Sequence, residues 1–219
     1  MGWPAVFLDR DGTLVEPRHY PCRPEHLRLY PTLGPALRRL RRAGFRLVMV
    51  TNQSGLARGY FTTDDLEQMH AHLAAELARW DVRLDATYYC PHHPDGVVAS
   101  LAVVCECRKP RPGLLLRAAA ELDLDLRRSW LVGDILDDVE AANRAGCPGV
   151  LVDLGTEVRP DRPLRWPAYV ARDTAHALAI IGAVEGCGPP ADLGYLPAAW
   201  RDGAARRTPT LVRRGATDA

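Results

Sequence analysis

The sequence predicts an α/β protein in which a parallel sheet is covered by helices on both faces. Short apolar runs alternate with longer stretches whose apolar residues recur at helical spacing, and the runs end on polar residues, at Asp9, Thr51 and Gly133-Asp134. A chain of 219 residues, 47% of them hydrophobic, can fill one such body plus a modest appendage but not two ordinary domains.

Ala5 to Leu8 reads as a buried strand that delivers Asp9 at its carboxyl end. Thr32 is the expected N-cap of a helix carrying Leu33, Ala36, Leu37 and Leu40 opposite Arg38, Arg39, Arg41 and Arg42, with Gly44 as its stop. Phe45 to Val50 is a second strand, ending at Thr51, and Thr63 to Trp80 an amphipathic helix with Asp64 and Asp65 in its first turn. Ala86 to Tyr89 is a third strand. Beyond a Cys/His loop, Pro112 and Gly113 open a helix to about Leu122, Trp130 to Val132 form a strand, and Leu136 to Ala145 form a helix closed by Gly146. Val150 to Asp153 is the last strand expected.

This alternation implies a Rossmann-like three-layer parallel sheet, with ligands at the carboxyl ends of the strands. Residues 1–182 are expected to form the catalytic body, with a metal loop at 90–107. From about Ala183 the text turns to Pro, Gly, Ala and Arg without periodicity, so 183–219 reads as a tail, docked or disordered.

A formal net charge of +1 gives no reason to expect nucleic acid. No run approaches the ~18 apolar residues of a membrane span, and the N-terminus reaches charge too soon for a signal peptide. A cytoplasmic, monomeric protein with reduced thiols is the expectation.

Asp9-Arg10-Asp11-Gly12-Thr13 places two carboxylates just past a buried strand. One can attack a phosphoryl group as nucleophile while the other protonates the leaving oxygen and then activates water. Bringing an anionic carboxylate against phosphate calls for a cation, and Mg²⁺ with oxygen ligands supplies it.

Cys90-Pro91-His92-His93 followed by Cys105-Glu106-Cys107 offers Cys90, His92, Cys105 and Cys107 as four ligands for one structural, tetrahedral Zn²⁺, with His93 spare. The competing reading is two buried cysteine pairs. Cys107 runs directly into Arg108-Lys109, so such a metal would aim both basic residues. Lys109 is the only lysine among 28 basic residues, a compact ammonium where the chain otherwise writes arginine.

The Asp-x-Asp-Gly-Thr signature after a strand resembles the first motif of the haloacid dehalogenase superfamily. Thr51-Asn52 resembles the second motif, Lys109 the third, and Gly133-Asp134 with Asp137-Asp138 the fourth, so the likeness covers roughly residues 5–155. It implies Asp9 as nucleophile, Asp11 as acid and base, and Mg²⁺ held by the Asp9 carboxylate, the Asp11 carbonyl and Asp134. Thr51 and Lys109 would hold phosphoryl oxygens.

The zinc pattern together with Thr51-Asn-Gln-Ser-Gly-Leu-Ala-Arg58-Gly resembles the branch containing heptose-bisphosphate and histidinol phosphatases, which lacks a large cap domain. Substrate selection then falls to the loops Glu16–Tyr20 and Gln53–Gly59 and to the zinc loop. The expected contacts are Tyr20, Asn52, Gln53, Ser54, Arg58 and Arg108, with Arg108 reaching a second phosphate or, failing that, making a surface ion pair.

The implied substrate is a small sugar bisphosphate losing its C7 phosphate. Histidinol phosphate is the enzymatic alternative, and a noncatalytic sugar-phosphate-binding module the alternative of another class. Gly186-Cys187-Gly188 opens no recognisable helix and Lys109 sits in no Walker loop, so nucleotide motifs are set aside. Cys22, Cys147 and Cys187 read as unliganded thiols, and His70 and His72 as helix surface.

Overall fold

A computed structural model describes residues 2–201. Its six strands, β1 (Ala5–Leu8), β2 (Arg46–Asn52), β3 (Ala86–Cys90), β4 (Trp130–Gly133), β5 (Gly149–Val152) and β6 (Tyr169–Ala171), form one parallel sheet in the order β3-β2-β1-β4-β5-β6. The helices are α1 (Gly34–Arg42), α2 (Thr63–Ala78), α3 (Gly113–Leu122), α4 (Leu136–Ala145), α5 (Thr174–Val184) and the short α6 (Ala198–Arg201).

Three layers follow from the alternation of β1. Val6 and Leu8 share a buried cluster with Leu37 of α1, Leu66 and Met69 of α2, and Ile181 of α5. Ala5 and Phe7 share another with Leu114 and Leu115 of α3 and Ala141 of α4. Successive strand residues face opposite sides, so a run apolar at every position must be covered twice.

Helix ends follow local chemistry, with one departure from expectation. Thr62 caps α2 reciprocally with Asp65: the Asp65 amide donates to Thr62 Oγ1 at 3.2 Å and the Thr62 amide to Asp65 Oδ2 at 2.8 Å. Thr32, expected to cap α1, does not. The cap is Leu33, without a side-chain hydrogen bond, because Leu33 is itself drawn into the core and Pro35 presets the first turn.

β6 and α5 went unread in the sequence. The strand has only three residues, and α5 is apolar on nearly every side, so neither shows a periodic signature. Asp173 caps α5, accepting from the His176 amide at 2.7 Å. α5 continues through Ala183, where a tail was expected to begin. Beyond it the described chain is docked: Tyr195 donates to Asp153 at 2.7 Å, and Trp200, 5% exposed, donates to the Glu157 carbonyl at 3.2 Å. The expected tail from residue 202 onward lies outside the described residues. Among those described, no helix is long and apolar enough to cross a membrane.

Candidate active site

β1 pairs with β2 on one side and β4 on the other, so the chain reverses its direction of winding there and the loops leaving β1 and β4 part to open a crevice. Asp9 follows β1, its amide donating to the Val132 carbonyl at 3.0 Å, and Asp134 follows β4. Carboxylate oxygens of Asp9, Asp134 and Asp138 lie within 4.8 Å of one another. Asp138 enters from the first turn of α4, where its Oδ2 accepts from the Ile135 amide at 3.3 Å.

Two glycines permit this approach. A Cβ on Gly12, whose φ is +76°, would sit 2.3 Å from Asp134 Oδ2. One on Gly133 would sit 2.2 Å from Asp138 Oδ2. The glycine of each motif is therefore there because a carboxylate presses against the backbone.

Lys109 is 2% exposed, and its Nζ reaches Asp9 Oδ1 at 2.8 Å, Asp138 Oδ1 at 2.5 Å and the Val50 carbonyl at 2.9 Å. Burial alone would depress the ammonium, but Asp138 and then Asp9 more than offset this and hold it above its ordinary value. Asn52 fixes the lysine's backbone from both sides: its Nδ2 donates to the Lys109 carbonyl and its Oδ1 accepts from the Lys109 amide, both at 3.1 Å. The amide expected among the substrate contacts is thus engaged by Lys109.

Three carboxylates around one ammonium leave two negative charges uncompensated when all are ionised. The strain shows at Asp134, which burial, then Asp9 and Asp138, push up to about 8, with Lys109 offsetting part. A divalent cation would cancel the excess, and a set of hard carboxylate oxygens suits Mg²⁺ rather than a soft metal.

Thr51 and Gln53 line the same crevice from the end of β2. Gln53, 3% exposed, donates through Nε2 to Thr51 Oγ1 at 2.9 Å and to Asp11 Oδ2 at 3.2 Å. The outer loops supply the remaining expected residues. Arg58 Nη2 lies 3.0 Å from His93 Nε2, and Arg108 Nη1 donates to the His92 carbonyl at 3.5 Å. Tyr20 meets Tyr60 edge-on with ring centroids 4.6 Å apart, and Ser54 accepts the Arg58 amide on its carbonyl at 3.0 Å. A cavity of about 240 Å³ adjoins Lys109, lined by His93, Arg108, Pro110, Arg111 and Asp137 among others.

The cysteine loop closes on itself. Cys90 Sγ lies 3.5 Å from Cys105 Sγ and 3.7 Å from His92 Nδ1, His92 Nδ1 3.3 Å from Cys107 Sγ, and Cys107 Sγ 3.3 Å from Cys105 Sγ. These separations are too long for disulfides and match the edges of a tetrahedron whose centre is ~2.3 Å from sulfur. His93 stands outside the cluster, against Arg58.

Two residues that shape the site were named without a role. Asp138 was visible as the second acid of an Asp-Asp pair opening a helix, but helical phase alone does not show that it turns inward. Arg10 is fully buried, which no local pattern signals. His70, expected on the surface, instead lies partly buried against Tyr89, and burial followed by the charge of Arg10 pushes its pKa down to about 4.

A parallel sheet that gathers acidic groups and one lysine at its switch point defines the class, a phosphohydrolase of the α/β type. The HAD-hydrolase-like family matches residues 106–177. The D-glycero-beta-D-manno-heptose-1,7-bisphosphate 7-phosphatase of Escherichia coli K12 is 45% identical over 159 residues, covering 72% of this chain and 83% of that relative. The Yersinia pestis protein of the same name is 42% identical, covering 78% and 88%. Among solved structures, D,D-heptose 1,7-bisphosphate phosphatase from B. bronchiseptica, complexed with magnesium and phosphate, superposes with a TM-score of 0.67 at 34% identity, covering 80% of this chain and 96% of that one. A HAD-like phosphatase from Mesorhizobium loti gives 0.75 at 38% identity, covering 86% and 89%. The chain belongs to the heptose-bisphosphate phosphatase family of the haloacid dehalogenase superfamily.

Proposed function

We propose that this enzyme removes the C7 phosphate of D-glycero-D-manno-heptose 1,7-bisphosphate, leaving heptose 1-phosphate, through an aspartyl-phosphate on Asp9. The observation that carries the chemistry is the cluster of Asp9, Asp134 and Asp138, with the buried Asp9 and Asp138 paired to the single Lys109 ammonium. The substrate is supported by the names of the relatives and by the arginines, Arg58 and Arg108, carried on the surrounding loops.

In this reading Asp9, the Asp11 carbonyl and Asp134 would hold Mg²⁺, whose charge lets one anion approach another. Asp9 attacks phosphorus in line while Asp11 gives its proton to the departing sugar oxygen. The resulting Asp11 carboxylate then takes a proton from the water that hydrolyses the acyl phosphate, returning Asp9. Thr51 and Lys109 hold phosphoryl oxygens as charge spreads onto them. Asn52 positions Lys109, and Gln53 positions Thr51 and Asp11. Zn²⁺ on Cys90, His92, Cys105 and Cys107 would order the loop that carries Arg108 and Lys109.

The test is phosphate release with Mg²⁺ from both heptose 1,7-bisphosphate anomers and from histidinol phosphate, with phosphorus NMR of the sugar product. Heptose 1-phosphate from either anomer, well ahead of histidinol phosphate, is expected; preferential histidinol phosphate hydrolysis would overturn the substrate assignment.

A further inference from the structure

Arg10, the residue between the two motif aspartates, is 0% exposed, the largest fully buried side chain among the described residues. Its guanidinium faces Asp11: Nε donates to Oδ2 at 3.1 Å, and Nη2 donates to Oδ2 at 2.8 Å and to Oδ1 at 3.1 Å. Adjacent residues in an extended strand point to opposite sides, so this fork exists only because the chain turns at once after β1. The turn is wound on Arg10 itself, whose carbonyl accepts from the amides of Leu14 at 2.9 Å and Val15 at 3.0 Å.

Burial of an ion pair is by itself weak evidence for a stabilising role. A buried ion pair is often no better than apolar packing of the same volume, and Nη1 of Arg10 has no protein hydrogen-bond partner. Asp11 keeps an exposed edge, its side chain being 29% accessible against 1% for Arg10. Gln53 reaches the same Oδ2 at 3.2 Å. Three hydrogen bonds therefore converge on Oδ2 and one on Oδ1, which leaves Oδ1 the freer of the two oxygens.

We propose that Arg10 is a positioning residue for Asp11, clamping Oδ2 so that Oδ1 is presented to the leaving oxygen. This rests on the reading of Asp11 as the acid. As the phosphorus–oxygen bond to the sugar breaks and the bond to Asp9 forms, the Oδ1 proton passes to the departing oxygen, and the guanidinium faces the carboxylate that remains.

The experiment compares kcat/KM, which covers steps up to leaving-group departure, for the heptose bisphosphate and for p-nitrophenyl phosphate, whose leaving group needs little acid assistance. The variants are Arg10→Met, which removes the charge, Arg10→Lys, which keeps charge without the fork, and Asp11→Asn as reference, with circular dichroism and melting temperature recorded for each. The sugar-to-aryl rate ratio is expected to fall about 10²-fold in Asp11→Asn and at least about tenfold in both Arg10 variants. An unchanged ratio in folded Arg10→Lys and Arg10→Met, beside a lowered ratio in Asp11→Asn, would overturn the positioning role and leave Arg10 a support of the loop. An unchanged ratio in Asp11→Asn would overturn the acid assignment beneath it.

Discussion

Lys109 Nζ lies 2.8 Å from Asp9 Oδ1, and both side chains are at least nine-tenths buried. Replacing Lys109 with Met leaves Asp9 and Asp138 facing each other without a cation. The expected result is a kcat lower by about 10²- to 10³-fold with folding retained, measured as initial rates under saturating substrate. Lys109→Arg should not restore activity, because a planar fork cannot meet three acceptors gathered round one nitrogen. Full activity in Lys109→Arg would contradict this account.

Asp9→Asn tests the nucleophile itself. Turnover is expected to be lost, and phosphate from a radiolabelled substrate should no longer attach to the protein in rapid-quench samples. Labelled Asp9→Asn protein would move the attack to another residue.

Asn52 spends both ends of its side-chain amide on the Lys109 backbone. Asn52→Ala is expected to lower kcat about tenfold while KM changes little, since a small misplacement of Lys109 weakens what it does for the transition state. A raised KM at unchanged kcat would instead make Asn52 a substrate contact.

The zinc loop is latched to the loop after β2, with the Val97 and Val98 amides donating to the Ala57 carbonyl at 2.8 and 2.9 Å. Cys107→Ser should therefore lose zinc and lower the melting temperature by at least about 5 °C, with a fall in activity that added Mg²⁺ does not reverse. Zinc content equal to the parent's, by atomic absorption, would remove Cys107 from the ligand set.

Asp134 has its folded pKa raised to about 8 by burial and by Asp9 and Asp138, so its neutral form favours the fold. That contribution is present at low pH and is lost as pH rises toward about 8. His70, pushed down to about 4 from 6.5, works in the opposite sense but only below about 6.5. Asp138, raised to about 7 by burial, acts in the same sense, so metal-free protein should lose stability between pH 6.5 and 8, and Asp134→Asn should reduce that slope. Mg²⁺ binding must release the proton, so its affinity, by calorimetry, should rise up to about tenfold per pH unit in this window. A pH-independent affinity would show the carboxylates already ionised.

The sequence by itself determined the β1 to β5 alternation, the strand-end positions of Asp9, Thr51 and Asp134, and the zinc pattern, because each is local: an apolar run, a terminus, a ligand spacing. It did not reach β6, α5 or the capping of α1. Those depend on which neighbours exclude water from three residues, from a helix apolar all round, and from Leu33. Tertiary structure alone decided that Asp138 joins Asp9 and Asp134, that Asn52 grips Lys109, and that Arg10 turns back onto Asp11. The physical reason is that the direction of a side chain at a strand end is set by the turn that follows and by the adjacent strand. β1 and β4 become neighbours only when the sheet reverses its winding between them.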